Sequence, residues 1–475
     1  MTNLVQRTLS RLAARLPGRV STPGDDGYAA ATAIWSKPVG RLPRAVAHCR
    51  MVDDVLSAIR AARDCDLPLS VRGGGHDWAG RALCDGVVID VSGMRNVAVA
   101  SDETATVSGG ARAADVVVAT DPLGLAPVTG SVAAVGMAGL TLGGGYGPLI
   151  GRFGLALDNL EAAEVVLADG RVVVADHENE AELFWALRGG GGNFGVVTAM
   201  RLELHRPPSV RSGMLIYPFA EAKAVLEGCA EIGRSGPEEL TAQVGFAGGP
   251  DGAPMIMVVP TLCGPPEEGE ARLAPFFQLG TVQMSTVETT PYGTSLTVFD
   301  KFFVYGQRYL IETCWLPALD SRGVEAFIAA AKSAVSPGCA VFTHEFKGAA
   351  ARVPEGATAF GLRRDHMLVE IVAWFPGGPD SANEQRHRQW ARATRDAFDA
   401  IALPGGYPNL LAGDEDMDRV ARSYGRNAER LIKAKRVYDP DNVFRSAIPL
   451  RVASAMARTS LCASKAPLDA QIGIS

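Results

Sequence analysis

An α+β fold is predicted by three features of the sequence. Short strand-like and helical runs mix through the first two hundred residues without the regular strand–helix alternation of a doubly wound sheet. A composition shift follows Leu204. From there to about Gly405, strand-like runs such as Pro254–Leu262 and Met367–Trp374 are separated by helical ones such as Gly323–Val335 and Ser381–Ala400. That pattern suits an antiparallel sheet with helices on one face. Glycine supplies the third feature: 53 of 475 residues, against a usual ~7%, with much of the excess in three clusters between residues 70 and 195.

Taken in order, residues 1–38 read as helical, ending in the loop Ser21 to Gly27. Met51–Asp64 carries Val52, Val55, Ile59 and Ala62 at helical spacing. The short strand Pro68–Val71 runs straight into Arg72-Gly73-Gly74-Gly75-His76. Strands are expected at Val87–Asp90 and Ala105–Ser108, and Val165–Asp169 with Val172–Ala175 reads as a hairpin turned at Asp169-Gly170. Asp414–Leu450 reads as a long helix and a loop, and the tail after Arg451 has no strong pattern.

A formal charge of −6 leaves no global basic field for phosphates, so nucleic acid is not expected as a partner. No run approaches the 18 apolar residues of a membrane span, and Arg7, Arg11, Arg15 and Arg19 interrupt any apolar leader. A soluble, cytoplasmic protein without membrane partners is expected. The eight cysteines are dispersed, with no C-x-x-C and no zinc-finger spacing, and read as free structural thiols; no metal site is expected.

The three clusters are Gly73-Gly74-Gly75, Gly143-Gly144-Gly145 with Gly147, and Gly189-Gly190-Gly191-Gly192 with Gly195. Glycine runs let backbone N–H groups approach an anion closely, so clusters that converge would cradle a phosphate-bearing ligand. The third contains a G-x-G-x-x-G match, but a dinucleotide fingerprint follows a strand and opens a helix. Here helical Glu182–Arg188 precedes it and strand-like Val196–Met200 follows, so an NAD-type reading fails on context. His76, directly after three glycines, sits on a backbone that can be pressed against a ligand.

Five ordered motifs then carry a resemblance: Val71–His76, Val135–Gly147, Gly154–Asn159, Leu183–Gly195 and Tyr438–Arg445. Over roughly residues 30–450 the chain resembles the berberine bridge enzyme-like branch of the vanillyl-alcohol oxidase (PCMH-type) flavoprotein family. The resemblance implies a two-lobed FAD-binding domain at 1–205 (core about 39–208), an inserted antiparallel-sheet substrate domain at 206–405, a C-terminal return at 406–450 and a tail at 451–475. It implies FAD bonded to His76 through a single link, since Val132 stands where some members carry a second, cysteinyl link. Arg72, Gly73, Gly74, Gly75, His76, Val135, Gly136, Gly139, Gly144, Gly145, Asn193, Gly195, Val197 and Asn442 are the expected cofactor residues. The family's oxygen-gating position is occupied by Val135, the permissive residue, which favours an oxidase.

The chemistry implied is hydride transfer from a small organic alcohol, amine, sugar or secondary metabolite to flavin N5, with molecular oxygen taken to hydrogen peroxide. A cyclase or rearrangement enzyme, a dehydrogenase that does not use oxygen, and a flavin-binding protein with little turnover are the rival readings. A proton acceptor is needed within hydrogen-bond reach. Of the family's Y-x-N-Y stretch, Tyr407 survives, but Leu410 replaces the second tyrosine. Glu370 is the lone carboxylate on its face of the strand His366–Trp374, and burial would raise its pKa and make it a base. His344 with Glu345, and Tyr305 with Tyr309, are further candidates. Ala447 replaces a usual family asparagine, so a hydrogen bond near Asn442 is expected to be missing. The row Arg386, Arg388, Arg392, Arg395 reads as a solvated helix face.

Overall fold

The computed structural model describes residues 2–37, 40, 42–207, 209–300, 305–376, 381–412 and 414–450; the tail 451–475 lies outside them. The first sheet holds β1 (Val20–Ser21), β2 (Ala45–His48), β3 (Leu69–Arg72) and β4 (Val87–Asp90) in the order β1-β2-β4-β3. Its β2–β4 and β3–β4 pairings are parallel, and β1–β2 is antiparallel. The helix Val52–Arg63 covers it with Val55, Ala58, Ile59 and Ala62, the spacing read from the sequence.

The second sheet is antiparallel: β5 (Val97–Val99), β6 (Thr104–Ser108), β7 (Ala126–Pro127), β8 (Leu160–Leu167), β9 (Val172–Ala175) and β10 (Gly195–His205). Its order is β5-β6-β10-β8-β9, with β7 pairing β10. The β8–β9 hairpin turns at Asp169-Gly170 as expected.

The third sheet comprises β11 (Val210–Ser212), β12 (Leu215–Pro218), β13 (Leu240–Gly248), β14 (Pro254–Leu262), β15 (Met284–Ser285), β16 (Glu288–Thr290), β17 (Arg308–Leu316), β18 (Cys339–Phe346) and β19 (His366–Phe375). Its main path runs β15-β12-β14-β13-β18-β19-β17, antiparallel throughout. Strand alternation divides its two faces. Val369, Ile371 and Ala373 pack with the helices Ala222–Ser235, Ser321–Lys332 and Ser381–Phe398, while Leu368 and Val372 join the core shared with the glycine-rich region. Full burial of a side chain such as Ile371 stabilises by roughly 1.5–3 kcal/mol, and a one-residue slip of β19 would turn this whole set around. The architecture is α+β.

Three local readings need correction. The first 38 residues are not one helix: Thr2–Arg15 stops before Pro17, and Val20–Ser21 then pairs with Val46 and Ala47 in the sheet before a short second helix. Asp414–Leu450 holds two helices, Met417–Tyr424 and Ala428–Tyr438, separated by a tight turn at Gly425–Asn427. The basic row on Ser381–Phe398 is only partly solvated. Arg395 lies 2.8 Å from Glu312 on β17 and Arg392 reaches the same carboxylate, so these two tie the helix to the sheet, while Arg388 pairs with Glu384 along the helix itself. The seven described cysteines are buried free thiols. Among the described residues no helix is long and apolar enough to cross a membrane.

Candidate active site

All three glycine clusters meet in one cavity, lined by Gly73, Gly74, Gly75 and His76 from the loop after β3, by Gly136, Gly139 and Gly145, and by Gly191, Gly192 and Gly195. The first loop touches Gly136, at the start of the helix Met137–Gly143 that leads into the second cluster, backbone to backbone. A Cβ on Gly74 would stand 2.4 Å from the Gly136 Cα, and one on Gly136 would stand 2.7 Å from the Gly74 nitrogen, so neither position accepts a side chain. This contact fixes where His76 emerges. The ring lies tilted against Trp35, with centroids 4.2 Å apart, and its Nδ1 is buried without a hydrogen-bond partner. Burial, aided by the Arg112 charge, holds its pKa down at about 3, so the imidazole is neutral at pH 7.

The opposite wall is the inner face of the third sheet. Glu370 on β19 stands across from Phe342 on β18 and Thr313 on β17. His344 Nε2 lies 2.9 Å from one carboxylate oxygen, and the Tyr146 hydroxyl donates to the other. Tyr146 comes from the second glycine loop and meets Tyr407 edge-on at 4.9 Å. The Tyr407 hydroxyl accepts a 2.8 Å hydrogen bond from the Gly145 N–H, and its backbone N–H is held by Thr313. A Cβ on Gly144, whose φ is +138°, would stand 2.5 Å from that same hydroxyl.

The expectation that burial makes Glu370 a raised-pKa carboxyl is overturned. Burial does push it up, but the facing His344, with the hydrogen bonds from His344 and Tyr146, outweighs burial and holds it below the ordinary glutamate value. Glu370 is therefore ionised at neutral pH. Burial pushes the phenols of Tyr146 and Tyr407 above their ordinary value.

Of the expected cofactor residues together with Glu370 and Tyr407, Gly73, Gly74, Gly75, His76, Val135, Gly136, Gly139, Gly145, Gly195, Val197, Glu370 and Tyr407 line the cavity. Four do not. Arg72 is turned beneath the loop, 3.0 Å from Asp90, a buried pair that holds the loop from below. Gly144 backs Tyr407. Asn193 donates to the carbonyls of Gly190 and Ile448, both at 2.8 Å, and binds the C-terminal return to the third cluster. Asn442, at φ +52°, lines a neighbouring polar cavity with Asn193 and Ala447. The return is clamped further by Lys435, whose buried ammonium donates to Asp439 and to the Asn193 carbonyl, both at 2.6 Å, and to the Phe444 carbonyl.

His344 belongs to the Glu370 cluster, whereas Glu345 turns to the other face, toward Lys347 and the Ala242 N–H. Tyr305 donates to the Ala33 carbonyl and Tyr309 stacks on Trp35, both apart from Glu370. Sequence reasoning missed Tyr146, Gln243 and Phe342. Tyr146 was findable, because a tyrosine inside Gly143-Gly144-Gly145-Tyr146-Gly147 is placed as His76 is.

The donor set fits FAD. The cavity offers an unpartnered buried imidazole, and nothing lies within 4 Å of where a Cβ would stand on the lining residues Gly139 and Gly192, which leaves open backbone along the cradle. Residues 43–176 match the family described as "FAD binding domain", and residues 406–450 match "Berberine and berberine like". Fold and site together define an FAD-dependent oxidoreductase. A FAD-linked oxidoreductase of Pyricularia oryzae is 31% identical over 82% of this chain and 81% of its own. The (R)-6-hydroxynicotine oxidase of Paenarthrobacter nicotinovorans is 29% identical over 90% and 96%. The crystal structure of the 6-hydroxy-D-nicotine oxidase of Arthrobacter nicotinovorans superimposes with a TM-score of 0.81 at 27% identity, covering 92% of this chain and 98% of that one. The chain belongs to the berberine bridge enzyme-like family of FAD-linked oxidoreductases, with the PCMH-type fold.

Proposed function

We propose that the protein is a covalent-FAD oxidase acting on a small organic donor that carries a hydroxyl or amine group, with molecular oxygen as the final acceptor. The observation that carries this reading is the buried, unpartnered Nδ1 of His76 in the same cavity that Glu370 faces. On this reading residues 1–205 and 406–450 hold FAD and residues 206–405 bind the donor. His76 Nδ1 is the point of attachment: a neutral ring keeps its lone pair available. No cysteine lines the cavity among the described residues, which supports a single link. Gly73, Gly74, Gly75, Gly136, Gly139, Gly145, Gly195 and Val197 form the cradle.

FAD, when bound, supplies the two-electron acceptor. The chain's own task is the proton. Glu370, ionised, accepts it from the donor's O–H or N–H, and Tyr146 and His344 fix the two carboxylate oxygens so that the base meets the donor in one orientation. Tyr407 acts as a positioning residue. Its hydroxyl is engaged by the Gly145 N–H and its raised pKa makes it a poor base, so it steadies the loop that carries Tyr146. Val135, in the family's oxygen-gating position, lines the cavity and supports oxygen as acceptor.

The test is a donor panel added without air, followed by admission of oxygen. Bleaching of the flavin band by an alcohol or amine, then recovery of colour with one peroxide per donor consumed, is expected. Bleaching that air does not reverse would remove oxygen from the reading, and a panel without bleaching would remove the oxidase.

A further inference from the structure

We infer that the donor is an aromatic ring system bearing a single hydroxyl or amine at the carbon to be oxidised, and not a sugar. The inference rests on the reading of Glu370 as proton acceptor. Phe342 is the register partner of Glu370 across β18 and β19, so its side chain stands beside the carboxylate on the same face. Its ring has room because residue 245, opposite on β13, is glycine. A Cβ there would stand 2.2 Å from the Phe342 Cδ1. Phe299 meets Phe342 edge-on with ring centroids 6.2 Å apart, and Val372 extends the apolar surface two residues beyond Glu370.

Among the described lining residues contributed by 206–405, the polar side chains are Gln243, His344 and Glu370. His344 is bonded to Glu370, and the Gln243 amide donates to the Ser131 hydroxyl at 2.7 Å. Among the described lining residues contributed by 206–405 there is no arginine or lysine, so an anionic donor has no counter-charge there. A sugar brings several hydroxyls, and each one desolvated without a partner weakens binding by roughly tenfold or more. An aromatic ring gains instead from edge-to-face packing on Phe342 and Phe299. The wall thus matches a ring with one proton to give.

The holoenzyme is titrated calorimetrically with 2-naphthol and with cellobiose, and bleached anaerobically with 2-naphthalenemethanol and with cellobiose. Tighter binding of naphthol by at least about tenfold is expected, with bleaching by the aromatic alcohol alone. Phe342→Ala should weaken naphthol binding about tenfold while the flavin spectrum and content stay unchanged. Cellobiose binding or bleaching on a par with the aromatic compounds, or a Phe342→Ala variant that binds naphthol as before, overturns the inference. Failure of the underlying reading has a different signature: Glu370→Gln would then be bleached by 2-naphthalenemethanol at the wild-type rate.

Discussion

The two walls of the cavity are made of different parts of the polypeptide. On one side the lining is backbone, with Gly74 against Gly136 and open chain at Gly139 and Gly192. On the other it is side chains projecting from one face of a sheet, with Glu370, His344 and Phe342 aligned by register. The difference separates two requirements. A cofactor shared across a family needs close, invariant backbone approach, which only glycine permits. A donor needs particular side chains, which a strand supplies from one face while its backbone pairing and its other face hold it in the sheet.

The largest effects should come from striking each wall in turn, and they should be opposite in kind. Gly74→Ala forces a methyl into the Gly136 backbone, where overpacking costs on the order of 1–3 kcal/mol or more. The expected result is purified protein that has lost most of its flavin, read from the ratio of absorbance at about 450 nm to that at 280 nm. Glu370→Gln should keep its flavin and lose turnover by roughly 10²–10⁴-fold, the usual span for a general base. Full flavin in the first variant, or wild-type turnover in the second, would break the comparison.

The same contrast explains what was legible in the sequence. The glycine wall could be read because its constraint is local: three clusters, and a histidine after the first, carry their addresses in consecutive residues. The reversed order of helix Ala181–Gly190 and strand β10 around the third cluster was equally plain, and it removed NAD. For the sheet wall, alternation identified Glu370 as isolated among apolar residues but not which face was inward, since that depends on pairing with β17 and β18. Its pKa was misread for the same reason. Burial was foreseeable, whereas partners contributed by β18 and by the second glycine loop were not. Arg72 was misplaced because its membership in the glycine motif hid its pairing with Asp90, 18 residues on and in the next strand.

A smaller effect separates the walls by acid. In protein produced without flavin, the folded His76 pKa of about 3 lies below the unfolded value of about 6.5. Between these the unfolded chain takes up a proton that the folded one does not, so stability falls as pH drops through that window, by on the order of a few kcal/mol. Glu370, with its folded pKa depressed, adds stability that is untouched until pH falls below the ordinary glutamate value and is then lost as pH falls through the folded one, so the upper part of the window belongs to His76 alone. His76→Gln should flatten the loss between pH 6.5 and the ordinary glutamate value of about 4.3 in urea titrations; an unchanged slope there would mean that the ring is not buried neutral.

The most direct test of the account is to locate the flavin chemically. Wild-type protein is precipitated with acid and digested with trypsin, and the peptides that carry flavin absorbance are sequenced by mass spectrometry. The yellow colour is expected to stay in the pellet, and a single flavin-bearing peptide is expected to contain His76 with the added mass on that residue. Flavin found wholly in the supernatant, or attached to any other residue, would contradict it.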